Sequence, residues 1–196
     1  MTKDDVVKAL ESRVVGWQAA AVDGVPEPPD SGPNRTPGRS KKPAEPKREP
    51  GLVGSYYNLP PGSSELPQSK PVFQRIDQSL NFAWKSASPV PRIHADWFGV
   101  RWTGLIHFDS TGTYSFRITH DDGVRIWIGG AKAYDLWHAF DGVRTADFRV
   151  QEQGWTPLIV EFYEAKTFAD IRLEWALPGA PDFALVPAAA LAHNPQ

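Results

Sequence analysis

Residues 112–130 read GTYSFRITHDDGVRIWIGG. Tyr114, Phe116 and Ile118 alternate with Ser115, Arg117 and Thr119; after a break, Val124, Ile126 and Ile128 alternate with Arg125 and Trp127. Side chains of an extended chain point to opposite faces in turn, so this two-residue period predicts two half-buried strands. Gly129-Gly130 closes the second run with a turn signal. Between the runs stand two adjacent carboxylates, Asp121 and Asp122. Aspartate is depleted in strands and like charges repel, so the pair needs its own explanation.

Working outward, the same period recurs. Leu158, Val160 and Phe162 alternate with Ile159, Glu161 and Tyr163, and Ile171, Leu173 and Trp175 with Arg172 and Glu174. Turn residues at 110–112 (Ser-Thr-Gly) and 153–154 (Gln-Gly) separate the runs. No stretch here carries the 3.6-residue period of a helix. The expected fold of residues 51–187 is all-β, an antiparallel β-sandwich joined by hairpins.

Upstream the character changes. Residues 23–50 hold eight of the nineteen prolines and almost no large apolar side chain, which predicts an extended, semi-rigid linker. Residues 1–22 read as a helix: Thr2 and Asp5 suit its first turn, and Val6, Leu10, Val14 and Trp17 draw one apolar stripe. So short a helix needs its stripe covered, so residues 1–50 are expected to dock on a protein partner or on another copy, or on the main domain. Residues 188–196 read as a C-terminal tail.

Composition excludes several classes. A chain of 196 residues with 41% hydrophobic content, eight Trp and ten Phe can build a substantial core. The formal charge of −2 lacks the basic excess of a nucleic-acid footprint. No apolar run approaches the length of a membrane span, and the N-terminus lacks a secretory apolar region. Cysteine is absent, so disulfides, thiolate metal sites and a cysteine nucleophile are excluded. No nucleophile elbow, zinc-protease motif or phosphate loop occurs. Two adjacent aspartates are also badly placed to flank a glycosidic bond from opposite sides. A non-enzyme is expected.

Several stretches together resemble one family. GLVGSYYN (51–58), FGVRWTGLIHFDSTGTYSFRITHDDGVRIWIGG (98–130), Trp137 and PLIVEFYEAKTFADIRLEWALPG (157–179) are similar, in order, to the PA-fourteen domain, the β-sandwich named after anthrax protective antigen. The resemblance implies that Asp121 and Asp122, joined by a cis peptide, hold a calcium ion that sugar hydroxyls complete. It also implies an asparagine in the late loop, here EAKTFAD (164–170). None stands there, and Glu164 and Asp170 are the available substitutes. Around the pair, His120, Trp137, His138, Phe168 and Asp170 are the candidate ligand-binding residues. Aromatic rings stack on sugars, although Trp137 falls where the family packs a tryptophan and His120 where a strand ends.

The expected function is a non-catalytic, calcium-dependent carbohydrate-binding or adhesion module, displayed on a stalk and acting on a cell-surface polysaccharide or glycan. It would work outside the cell or on a particle surface, released by lysis or cut from a larger secreted protein. The alternative is a decoration or spike subunit of a phage-like particle, with the sandwich making protein contacts.

Overall fold

The computed structural model describes residues 46–195. The helix expected over 1–22 and the linker up to residue 45 lie outside the described residues.

Two antiparallel sheets face one another, as the alternation required. The larger has the path β1 (Glu49–Pro50), β13 (Leu191–His193), β5 (Phe98–Phe108), β10 (Gly154–Glu164), β7 (Gly123–Ile128), β8 (Ala131–Leu136). On it β2 (Leu52–Asn58) also pairs with β5, and β3 (Phe73–Asp77) with β2. The smaller sheet runs β12 (Ala184–Leu185), β11 (Ala169–Ala176), β6 (Gly112–Asp121), β9 (Asp141–Val150), with β4 (Asn81–Lys85) also on β11. The apolar phase of each run points between the sheets: Tyr114, Phe116 and Ile118 meet Val124, Ile126, Val160, Phe162, Ile171 and Leu173 in one buried core. Burying each such side chain contributes roughly 2 kcal/mol.

The core contains one closed polar network. Asp77, 5% exposed, accepts from the Tyr56 hydroxyl and Trp102 Nε1 at 2.7 Å each and from Arg75 Nε at 2.6 Å. Arg75 Nη2 in turn donates to the Tyr56 hydroxyl at 2.8 Å. Gly54 makes the room, since a Cβ there would collide with Asp77 Oδ2. That accounts for the glycine of the Gly54-Ser55-Tyr56-Tyr57 stretch.

Three expectations need correcting. β6 and β7 are not a hairpin, because β6 belongs to the smaller sheet and β7 to the larger. Asp121 and Asp122 are therefore the step by which the chain crosses between sheets. β10 and β11 are likewise split between sheets rather than paired with each other. The third correction concerns the ends of the sandwich. Glu49 and Pro50, read as linker, pair with His193 and Ala192, and Leu191 and Ala192, read as tail, pair with Ile106 and Leu105 of β5. These strands are too short to show any alternation.

Four crossings gather at one end. They are residues 86–97 between β4 and β5, the Asp121–Asp122 step, residues 137–140 between β8 and β9, and residues 165–168 between β10 and β11. The register brings them together: Glu164 lies opposite Phe98, Lys85 opposite Ala169, and Asp121 opposite both Asp170 and Asp141.

Candidate metal centre

The alternation that builds the core runs on into the tip and places polar groups at core-facing positions. His120 follows Tyr114, Phe116 and Ile118 in phase, and Glu164 follows Leu158, Val160 and Phe162. Both are 0% exposed.

Glu164 meets the aspartate pair. Asp121, Asp122 and Glu164 each present an oxygen, and these atoms lie within 4.8 Å of one another. The Asp121–Asp122 peptide is cis. Gly123 follows because the Tyr163 ring occupies the place of any Cβ there.

The three carboxylates are held differently. Asp122 Oδ2 accepts the Ala165 amide at 2.8 Å, and its carboxylate takes a further backbone hydrogen bond from Phe140. It thus ties two of the tip loops together. Burial raises its pKa, and those two hydrogen bonds oppose the rise. Asp121 is half-buried, and burial, then Asp122, Asp141 and Asp170, push it up to about 6. Glu164 is the extreme case. Both its oxygens are buried without a hydrogen-bond partner, and burial, then its acidic neighbours Asp122, Asp121, Asp96 and Asp170, push it up to about 9.

A buried carboxylate with no partner is costly, and native proteins rarely leave one. Among the described residues no Lys or Arg forms an ion pair with Asp121, Asp122 or Glu164. A hard dication with oxygen ligands at about 2.3–2.6 Å spans a group of this size and would satisfy all three. The residues fit calcium.

His120 stands behind the site rather than in it. Its Nδ1–H donates to the Asp122 carbonyl, and Nε2 accepts from the Tyr134 hydroxyl at 2.8 Å. Burial lowers its pKa, which matches a neutral ring with one donor and one acceptor. The ring also packs on Phe140 at 4.8 Å, and the Arg144 guanidinium covers Phe140 at 4.2 Å. Sealed in this way, His120 braces the backbone behind the aspartate pair.

The other candidates are scattered. Trp137 lies on the outer side of the larger sheet, edge-on to Tyr163 at 4.8 Å with the Arg125 guanidinium 3.7 Å from its ring centre. One ring face is thereby covered, and Trp137 packs against the cluster of Tyr57, Leu59, Leu66 and Tyr163. His138 is exposed on the loop 137–140. Phe168, 57% exposed, is the large apolar side chain of loop 165–168. Asp170, half-buried on β11, stands outside the three-carboxylate group.

The late loop is braced from the 86–97 crossing, which the sequence analysis did not single out. Asp96 Oδ1 accepts the Thr167 amide at 3.2 Å, and the Trp97 amide donates to Ala165 at 3.1 Å. Thr167 (φ 82°) and Trp97 (φ 55°) both adopt the left-handed region. Such backbone concentrates where neighbouring structure over-determines it, commonly at binding loops.

Comparison with known proteins agrees with the architecture. Residues 48–186 match the PA14 domain family. Anti-sigma-I factor RsgI3 of Acetivibrio thermocellus is 32% identical over 127 residues, 64% of this chain and 19% of that protein. An anti-sigma factor domain-containing protein from Clostridium clariflavum superposes with a TM-score of 0.65 at 26% identity, over 73% of this chain and 47% of that one. A PA14 sugar-binding domain from an RTX adhesin gives a TM-score of 0.64 at 18% identity, over 74% and 98%. The chain thus spans less than half the length of either anti-sigma relative. No helix among the described residues is long and apolar enough to cross a membrane.

Proposed function

The chain belongs to the PA14 domain family, and from that premise we propose that it is a non-catalytic carbohydrate-binding module whose tip takes calcium. Asp121, Asp122 and Glu164 would hold the ion, and sugar hydroxyls would be its further oxygen ligands. When bound, calcium supplies a Lewis-acidic centre for vicinal diols. The chain's own groups do the rest: Asp122 fixes two loops, His120, itself held by Tyr134, holds the Asp122 carbonyl, and Phe168 and His138 offer exposed surface on two loops of the same tip. The observation that carries the reading is Glu164, a buried carboxylate with neither oxygen bonded, converging with two others. Three carboxylates meeting at one point also suit a cation better than hydrolysis, which needs an acid and a base on opposite sides of the scissile bond.

The module acts on polysaccharide or glycan at a cell surface, outside the cell or on a particle, with the residues ahead of β1 docking it to a protein partner. The particle-subunit alternative rests on residues 1–45, outside the described residues. Identity to an anti-sigma factor favours a second reading instead, in which glycan capture is the input to a signalling partner.

Calorimetry tests the site. Calcium should bind the intact chain, and Asp121→Ala and Asp122→Ala should abolish the heat; equal heats in both variants would retire the metal. A glycan array with and without chelator tests the ligand, and retention that ignores chelator would count against the shared ion.

A further inference from the structure

Asp121 belongs to a second acidic arrangement that the three-carboxylate site does not use. On the smaller sheet it stands directly opposite Asp141 of β9 on one side and Asp170 of β11 on the other. Directly paired residues share a face, so three aspartates form one row across three strands on the outer surface. Side chains so placed have Cβ atoms about 4.5–5.5 Å apart, and like charges there are destabilising. Burial, then Asp122, Asp141 and Asp170, raise the pKa of Asp121, and burial, then Asp141, raise that of Asp170.

Three cations of the same strands and late loop have partners elsewhere. Arg172, two residues from Asp170, pairs with Glu174 at 3.0 Å, and Arg117 pairs with the same carboxylate at 2.8 Å. Lys166 of the late loop lies over the Trp97 ring at 5.7 Å. Among the described residues neither Asp141 nor Asp170 has an ion pair. Among the described residues the row is therefore a negative strip without an ion pair, centred on Asp121. A separate observation points to a ligand at this tip: Glu164, 0% exposed and unpartnered, is aimed at Asp121 and Asp122.

We propose that Asp141 and Asp170 are specificity-determining residues that restrict the tip to uncharged saccharides and exclude sugars bearing carboxylates. The inference rests on the calcium-lectin reading. Three ionised carboxylates around a dication leave one negative charge, and Asp141 and Asp170 add two more beside Asp121. A neutral diol meets this field without penalty, and its hydroxyls can donate to the flanking aspartates. A uronate ring at the ion brings a charge of the same sign near both, taken at a separation of roughly 7 Å for the Coulomb energy. In a largely aqueous medium, two such charges together oppose it by about tenfold in affinity, an effect that salt screens.

The test uses the full chain, saturated with calcium, and matched neutral and acidic methyl glycosides: glucoside with glucuronide, and galactoside with galacturonide. Calorimetry on wild type and on the Asp141→Asn/Asp170→Asn double variant, at low and high ionic strength, reads the ratio of the two affinities. The expected result is a neutral sugar bound about tenfold tighter at low salt. That ratio should collapse toward unity in the double variant and shrink with salt in wild type. A melting temperature no lower than wild type shows the variant folded, since its substitutions remove repulsion. A uronate that binds wild type as well as its neutral partner overturns the inference and leaves the lectin reading standing. So does a ratio that the double variant leaves unchanged. A chain that takes calcium but no saccharide of either kind overturns both.

Discussion

Two carboxylates, Asp77 and Glu164, are equally hidden from water and serve opposite ends. Asp77 is 5% exposed and accepts from Tyr56, Trp102 and Arg75; Glu164 is 0% exposed and accepts from nothing. The first is complete within the chain: a guanidinium balances the charge and two aromatic donors point the oxygens. The second gathers more negative charge around itself. Burying a charge is tolerable only with partners, so the two differ in where the partner comes from. Asp77 has its partners from strands β2, β3 and β5, whereas on the reading proposed above the partner of Glu164 is a cation supplied from solution. On that reading the satisfied network serves the fold and the unsatisfied one serves a ligand.

The sharpest way to break that contrast is to truncate each side chain in turn. Asp77→Ala strands the Tyr56 hydroxyl, the Trp102 indole N–H and the Arg75 guanidinium in the interior. Denaturant unfolding should show a loss of about 3–5 kcal/mol, the same with calcium or with chelator. Glu164→Gln should behave in reverse. Metal-free stability stays at or above wild type, while calcium affinity falls by roughly tenfold or more because ligand charge sets affinity in such sites. If Glu164→Gln unfolds the chelated protein and Asp77→Ala does not, the assignment of the two roles is wrong.

Acidity sharpens the same contrast without a mutation. Burial and acidic neighbours push Glu164 from the ordinary value of 4.5 up to about 9. Across that window the folded chain holds a proton the unfolded chain has released. Stability therefore falls as pH rises, and the favourable contribution is complete only below the unfolded value. In chelator, the melting temperature should drop from pH 5 toward pH 9. Glu164→Gln should flatten much of that slope, and Asp121, pushed up to about 6, should supply a smaller fall at the acid end. Calcium, which replaces the proton, should restore most stability at the alkaline end. A wild-type profile that is flat in chelator would remove Glu164 from the centre.

Period-two patterning made the strands legible, because a strand's core-facing phase shows whichever sheet it joins. For the same reason sheet membership was not legible. The runs on either side of Asp121-Asp122 look like the two arms of a hairpin, yet they enter different sheets and the pair is the crossing between them. Glu164 stood in the sequence only as a substitute for the absent late-loop asparagine, yet its phase says more. Continuing Leu158, Val160 and Phe162 by one step puts a carboxylate in the core phase, a conflict between pattern and chemistry that points to a site. The same step after Ile118 reaches His120. Phase shows that such a residue faces inward but not what it meets, so His120 read as a candidate ligand contact when its partners are the Asp122 carbonyl and Tyr134. Asp141 and Asp96 gave no local signal, because what matters about them is register across strands and a loop arriving from elsewhere in the chain.

The smallest effect on stability belongs to Phe168, which separates contact with a ligand from support of the fold. At 57% exposure it gives the core little, so Phe168→Ala should leave the melting temperature near wild type, within about 0.5 kcal/mol. Calcium affinity should also hold, since the late loop is anchored through the amides of Ala165 and Thr167 rather than through this ring. Sugar affinity should fall by roughly five- to tenfold, the worth of a ring stacked on an apolar sugar face. Phe168→Tyr, which keeps the ring, should recover it. Loss of calcium binding in Phe168→Ala would mean that the ring holds the loop in place, and loss of sugar binding that tyrosine fails to restore would argue against stacking.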